Sequence, residues 1–101
     1  DGGSGAAASP VLIETNKHVI YRIDKALMTL GSSENDDIFV SGFMVGPGQG
    51  VVECDNEGVW IRAGKMMSKL KVNGRKTRNH QLRHKDRIEI GSSTFRFMEN
   101  Q

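Results

Sequence analysis

A few residues in this 101-residue sequence are of types that do chemistry, and their spacing limits what that chemistry can be. His80 and His84 stand four apart, which brings two imidazoles to one metal only on a helix. Their segment reads as strand and turn, and no Cys-x-x-Cys or third clustered ligand accompanies them. No metal site is expected. Cys54 is the one cysteine, so it has no internal disulfide partner. It is followed by Asp55 and has no adjacent His or Lys to activate it, so it reads as a half-buried strand residue. Glu34, Asp36 and Asp37 share one loop but lack the Asp-x-Asp-x-Asp-Gly spacing of a calcium site. Carboxylates so placed accept hydrogen bonds from loop N–H groups. Gly-x-x-x-x-Gly-Lys, Gly-x-Ser-x-Gly and His-Glu-x-x-His are all missing. No catalytic constellation and no cofactor are expected, and the chain does not read as an enzyme.

Charge is distributed unevenly. The net charge is +2, yet residues 1–64 carry four basic and nine acidic side chains, and residues 65–101 carry ten basic and three acidic. Lys71, Arg75, Lys76, Arg78, Arg83, Lys85 and Arg87 form the candidate basic patch, for nucleic acid or an acidic partner. These cations are interspersed with Leu70, Val72, Leu82 and Ile88, as on the solvated faces of strands. The stretch from Lys65 to Arg87 has no aromatic side chain on which a base could stack. A protein partner is therefore favoured over nucleic acid. Two further segments put apolar residues into polar loops: Phe43-Met44-Val45 and Met66-Met67. Methionine suits adaptable binding surfaces, and an exposed apolar patch marks a partner site. Val45 is expected to pack beneath its loop.

The elements that must position these residues are short. At 37% hydrophobic and 26% charged residues, the chain fits a single domain. It has no apolar run of the roughly 20 residues that a membrane span needs. Asp1–Pro10 reads as a flexible linker and 11–101 as the domain. Runs at 11–14, 18–23, 26–30, 38–40, 51–54, 59–62, 70–72, 80–82, 86–90 and 94–98 are β-rich, and several alternate with period two. Asp55–Gly58 and Asn73-Gly74 read as hairpin turns, the latter because both residues tolerate positive φ. Ser41–Gln49, with three glycines and Pro47, is a loop. No helical periodicity persists over ten residues, so the expected fold is all-β, a sandwich or barrel.

The order of motifs resembles the forkhead-associated (FHA) domain over residues 11–98. The family opens with a strand, Gly-Arg and a polar loop ending in Asn-Asp-Ile; this chain has Leu27–Gly31, then Ser32–Asn35, Asp36-Asp37-Ile38. The family closes with Val-Asn-Gly, Leu-x-x-Gly-Asp-x-Ile-x-x-Gly and an aromatic-x-Phe strand. This chain has Val72-Asn73-Gly74, Leu82–Gly91 with Asp86 and Ile88, and Phe95-Arg96-Phe97. The resemblance implies a β-sandwich of about eleven mostly antiparallel strands that binds phosphothreonine peptides with the loops at one end. It also implies a non-catalytic scaffold module in the cytoplasm, within a larger protein or assembly such as a bacterial secretion machine.

The departures cluster at those loops. The position of the phosphate-binding Arg is Ser32, that of the phosphate-contacting Ser is Gly46, and that of the structural His is Gln49. The peptide-gripping Asn-Gly-Thr falls on Ser68-Lys69-Leu70. Hydrogen bonds to a charged group contribute roughly 1.5–3 kcal/mol each, so losing the Arg and the Ser should cost about a hundredfold or more in phosphopeptide affinity. The expectation is a phosphate-independent partner site at Ser32, Phe43, Met44, Gly46, Gly48, Gln49, Met66, Met67, Ser68 and Lys69. The alternatives are the basic patch, and a rearranged phosphopeptide site in which Lys65 or Lys69 supplies the charge.

Overall fold

The computed structural model describes residues 9–64 and 70–99. Among these are eleven strands: β1 Val11–Glu14, β2 Val19–Arg22, β3 Leu27–Gly31, β4 Ile38–Phe39, β5 Gly50–Asp55, β6 Gly58–Ala63, β7 Leu70–Val72, β8 Arg75–Lys76, β9 Asn79–Gln81, β10 Arg87–Ile90 and β11 Ser93–Met98. They form a five-stranded sheet, β9-β6-β5-β3-β4, and a six-stranded sheet, β2-β1-β11-β10-β7-β8. Every pairing is antiparallel except β3 with β4. None of the described residues is helical, so no helix there is long and apolar enough to cross a membrane.

Period-two patterning decides which faces meet. Ile88 and Ile90 of β10 are buried, as are Phe95 and Phe97 of β11, and Arg87 and Arg96 are exposed. Leu70 and Val72 flank exposed Lys71 in the same way. The inward sets join Leu12, Leu30, Ile38, Val52 and Ile61 in one core between the sheets. Tyr21 meets Phe95 edge-to-face with ring centroids 6.3 Å apart. Trp60, whose face the sequence left open, is half-buried on the outer face of β6, because Val59 and Ile61 take the inner one. Cys54 is half-buried in β5, as its neighbours suggested.

Both anticipated hairpins form. Asp55 faces Gly58 across the β5–β6 turn, and Asn73 and Gly74 adopt φ of 53° and 84° between β7 and β8. Asn73 also ties two motifs together. Its Nδ2 donates to Asp86 Oδ1 at 2.9 Å, and its Oδ1 accepts from the Arg87 N–H at 3.0 Å. Asp86 Oδ2 accepts from the Arg83 N–H at 2.8 Å, closing the β9–β10 turn. That turn puts Lys85, where the family motif has glycine, at φ 75°.

The structure shifts some boundaries. His18, expected in the second strand, has φ 59° and belongs to the turn before β2. Its left-handed backbone reverses the chain where Glu14 Oε1 accepts from the Lys17 N–H at 2.5 Å. Val40 is buried but lies outside β4; its N–H donates to Gly31 O at 2.8 Å.

Candidate functional site

Three connections converge at one end of the sandwich: β3–β4 (32–37), β4–β5 (40–49) and the start of β6–β7. Asp36 braces the first two. Its carboxylate accepts from the Ser33 N–H at 3.1 Å and from the Gly48 N–H at 3.1 and 3.4 Å. The chains approach so closely here that a Cβ on Gly31 would strike the Asp36 carboxylate and lie 2.6 Å from Gly48 N. Gly31 is a residue that only lack of a side chain makes possible. The third connection is held by the Gly64 N–H, which donates to Gln49 O at 2.9 Å; a Cβ on Gly64 would lie 2.7 Å from Gly48 O.

Ser32 and Gly46 face each other across this junction. The Ser32 N–H donates to Gly46 O at 3.2 Å, and Ser32 Oγ donates to Val45 O at 3.0 Å. Buried Gln49 turns its Oε1 back to accept from the Gly46 N–H at 3.2 Å. The donors that Ser32 and Gly46 bring to this end are therefore bonded within the loops. Asp36 and Asp37 act as the turn acceptors that the sequence suggested. Asp37 accepts from the Thr29 N–H at 2.9 Å and from Lys25 Nζ at 2.6 Å. The Lys25 hydrogen bond, followed by that of Thr29, holds the Asp37 carboxyl below the usual aspartate range; the same contact raises Lys25.

The tip of the β4–β5 loop is apolar and solvent-facing: Phe43 is 94% exposed and Met44 81%. Its base is clasped to the β10–β11 turn, because Ser41 O accepts from the Ser92 N–H at 2.9 Å and Ser93 Oγ accepts from the Ser41 N–H at 3.0 Å. Gly91 permits the contact, since a Cβ there would strike Ser41 O and lie 2.6 Å from Val45 Cγ2. Val45 is partly buried against the core, as expected. Met44 has φ 69°, so the tip turns through a left-handed residue that is not glycine. Sequence reasoning missed the serine clasp and the Gln49 brace; Ser-Gly and Gly-Ser-Ser at 41–42 and 91–93 were the available signal. Lys65, Met66, Met67, Ser68 and Lys69 lie outside the described residues.

The seven-residue basic patch does not gather into one cleft. Lys71 is on the outer face of the six-stranded sheet, opposite Glu89 on one side and Lys76 on the other. Arg87 lies 4.0 Å from Glu89. Arg75 and Lys76 are on the edge strand β8, Arg78 follows it, and Arg83 and Lys85 occupy the β9–β10 turn at the opposite end from the loops. His80 and His84 diverge. His80 Nε2 is 3.6 Å from Asp86 Oδ2, and His84 Nδ1 accepts from the Glu99 N–H at 2.9 Å. Among the described residues no group of His, Cys, Asp and Glu could hold a metal.

Comparison with known proteins agrees with this architecture. No curated protein matches the chain. Solved structures match with identities that speak to the fold alone. Mycobacterium tuberculosis EmbR, in complex with a low affinity phosphopeptide, aligns at TM-score 0.85 and 18% identity over 92% of this chain and 25% of that one. The FHA domain of CT664 protein from Chlamydia trachomatis gives 0.79 and 18% over 93% and 100%. The cytoplasmic domain of the T3SS sorting platform protein PscD from P. aeruginosa gives 0.75 and 15% over 92% and 82%. The family model of the FHA domain matches residues 28–91, from inside β3 to the β10–β11 turn. The chain thus belongs to the FHA domain family, a family of protein–protein interaction modules.

Proposed function

We propose that this chain is a non-catalytic docking module whose loop end takes a protein partner without requiring phosphate, as part of a larger protein or assembly. One observation carries the reading. Ser32, at the position of the family's phosphate-binding arginine, spends its hydroxyl on Val45 O, and the Gly46 N–H is taken by Gln49. A dianionic phosphate entering here meets no described cation on either residue. It meets the acidic loop of Glu34, Asp36 and Asp37, in which only Asp37 has a described ion-pair partner, Lys25. Like charges gathered on one loop disfavour an anionic ligand there.

The contact surface in this reading is the Phe43–Met44 tip beside Ser32, Gly46, Gly48 and Gln49, with Met66, Met67, Ser68 and Lys69 from the neighbouring connection. Leaving apolar area in water is unfavourable by roughly 25 cal/mol per Å², which favours a covered tip in the assembled state. The likeness to a sorting-platform domain makes a multi-subunit assembly the natural setting to test first. Calorimetry of the chain against a degenerate phosphothreonine peptide library and its unphosphorylated twin tests phosphate independence. Equal, weak binding of both is expected. Low-micromolar binding abolished by dephosphorylation overturns it and points to Lys65 or Lys69 as the phosphate's partner.

A further inference from the structure

The sandwich has four sheet edges among its described strands, and three are guarded. β8 is two residues long and both are cations; β4 is two residues long, with Lys17 Nζ 5.4 Å above the ring of Phe39; β9 is the polar triplet Asn79-His80-Gln81. Short, charged or covered edges of this kind resist pairing with other chains. Among the described residues β2 has no such guard. It runs for four residues, Val19-Ile20-Tyr21-Arg22, with Val19 39% and Ile20 52% exposed.

The direction of its backbone groups follows from the ladder. Ile23 donates its N–H to Pro10 O at 3.0 Å, and Leu12 faces Tyr21 in the register. Along an antiparallel strand, backbone groups alternate between the two sides. Ile23 and Tyr21 therefore point at β1, and the N–H and C=O of Ile20 and Arg22 point away from the sheet. On the outer face the edge carries Ile20 beside Ile13, and Arg22 beside Val11. Lys17 and His18 stand at one end of the strand, and neither Lys17 nor Arg22 has a carboxylate within ion-pair distance among the described residues.

We infer that β2 is a strand-addition site for an extended partner segment that presents an apolar and an acidic residue two positions apart, on the same face. The exposed backbone of Ile20 and Arg22 supplies hydrogen bonds, Ile20 selects an apolar cross-strand neighbour, and Arg22 selects a carboxylate. Charge complementarity names the occupant: Lys17 and Arg22 have no carboxylate within ion-pair distance among the described residues, so an acidic segment fits this edge. This surface is separate from the loop end, so its test does not depend on the docking proposal.

The test uses the full chain, isotope-labelled and titrated with a capped peptide of about eight residues repeating Val-Thr-Glu-Thr, which puts valine and glutamate two positions apart on one face, and with its Val-Thr-Lys-Thr counterpart. The glutamate peptide is expected to bind and to protect the Ile20 and Arg22 amide hydrogens from exchange. Ile20→Pro deletes only an outward N–H, which an edge strand tolerates, and should abolish binding in a folded protein. Should that variant fail to fold, Arg22→Glu decides: it should weaken the glutamate peptide by about threefold or more and bring in the lysine peptide. Absent protection at Ile20 and Arg22 overturns the inference. So does binding that Ile20→Pro, when folded, or Arg22→Glu leaves unchanged. A dimer whose free form already protects both amides would assign the edge to a second copy and overturn it as well.

Discussion

Replacing Asp36 by alanine should loosen the loop end more than any substitution at its exposed tip. The carboxylate takes N–H groups from Ser33 and Gly48, which belong to different connections. Hydrogen bonds to a charged acceptor contribute roughly 1.5–3 kcal/mol each in folded proteins. Asp36 is half-buried, so water partly replaces what is lost, and the two contacts together are set at about 2 kcal/mol rather than the sum of the upper values. That is a sizeable share of the roughly 5–15 kcal/mol that holds a domain of this size together. Urea denaturation of Asp36→Ala should show a lower midpoint at unchanged slope, since the same surface is exposed on unfolding. Amide exchange should show the Gly48 N–H losing protection, whereas strands β10 and β11 keep theirs against local opening. Asp36→Asn, which retains one acceptor oxygen, should lie between the variant and the parent. A change inside about 0.5 kcal/mol, the range of ordinary surface substitutions, would refute the view that Asp36 locks the two loops together.

Phe43→Asp with Met44→Asp should keep stability within about 0.5 kcal/mol, because both side chains are exposed and aspartate tolerates the left-handed backbone at 44; it should abolish capture of the partner, and unfolding of the double variant would show that the tip is core. Asp37 is held below the ordinary aspartate value near 3.8, so the unfolded chain takes up the proton first as pH falls. The stability difference between the parent and Asp37→Asn should be constant at neutral pH and shrink below about pH 4, as Asp37 is protonated in the folded state too; a difference that persists into strong acid contradicts the pairing with Lys25. Lys85→Gly should raise stability by up to about 1 kcal/mol, the cost of a left-handed backbone less the extra freedom of glycine when unfolded; a lower urea midpoint would mean that the side chain contributes where no contact is seen.

Much of the fold was legible because it depends on local chemistry. Alternation at Arg87–Ile90 and Ser93–Met98 assigns faces without knowledge of the partner sheet, since side chains alternate across any strand. Asn73-Gly74 marks its own turn, because few residue pairs accept two left-handed positions in succession. The order of these signals, with the closing motif around Asp86, was enough to suggest the family. The missing arginine, serine and histidine at 32, 46 and 49 were equally visible, because absence of a side chain type needs no coordinates.

What tertiary structure decided are relations between residues far apart in sequence. Nothing near Gly31 announces that Asp36 and Gly48 crowd it, nor does Ser41 announce Ser92 and Ser93. His18 reads as a strand residue by its neighbours, and it became a turn residue because Glu14 caps the Lys17 N–H beside it. The basic stretch looks continuous along the chain, yet the strands deal its members onto a face, an edge and a turn, so linear charge density overstated any single patch. Which strands end the sheets among the described residues is likewise a property of strand order, which arises only when the two sheets assemble. Local propensity acts over a few residues; the loop contacts and the β2 edge among the described strands depend on sheet pairing across as many as 87 positions of chain, as between Val11 and Met98, and only packing of the common core brings such positions together.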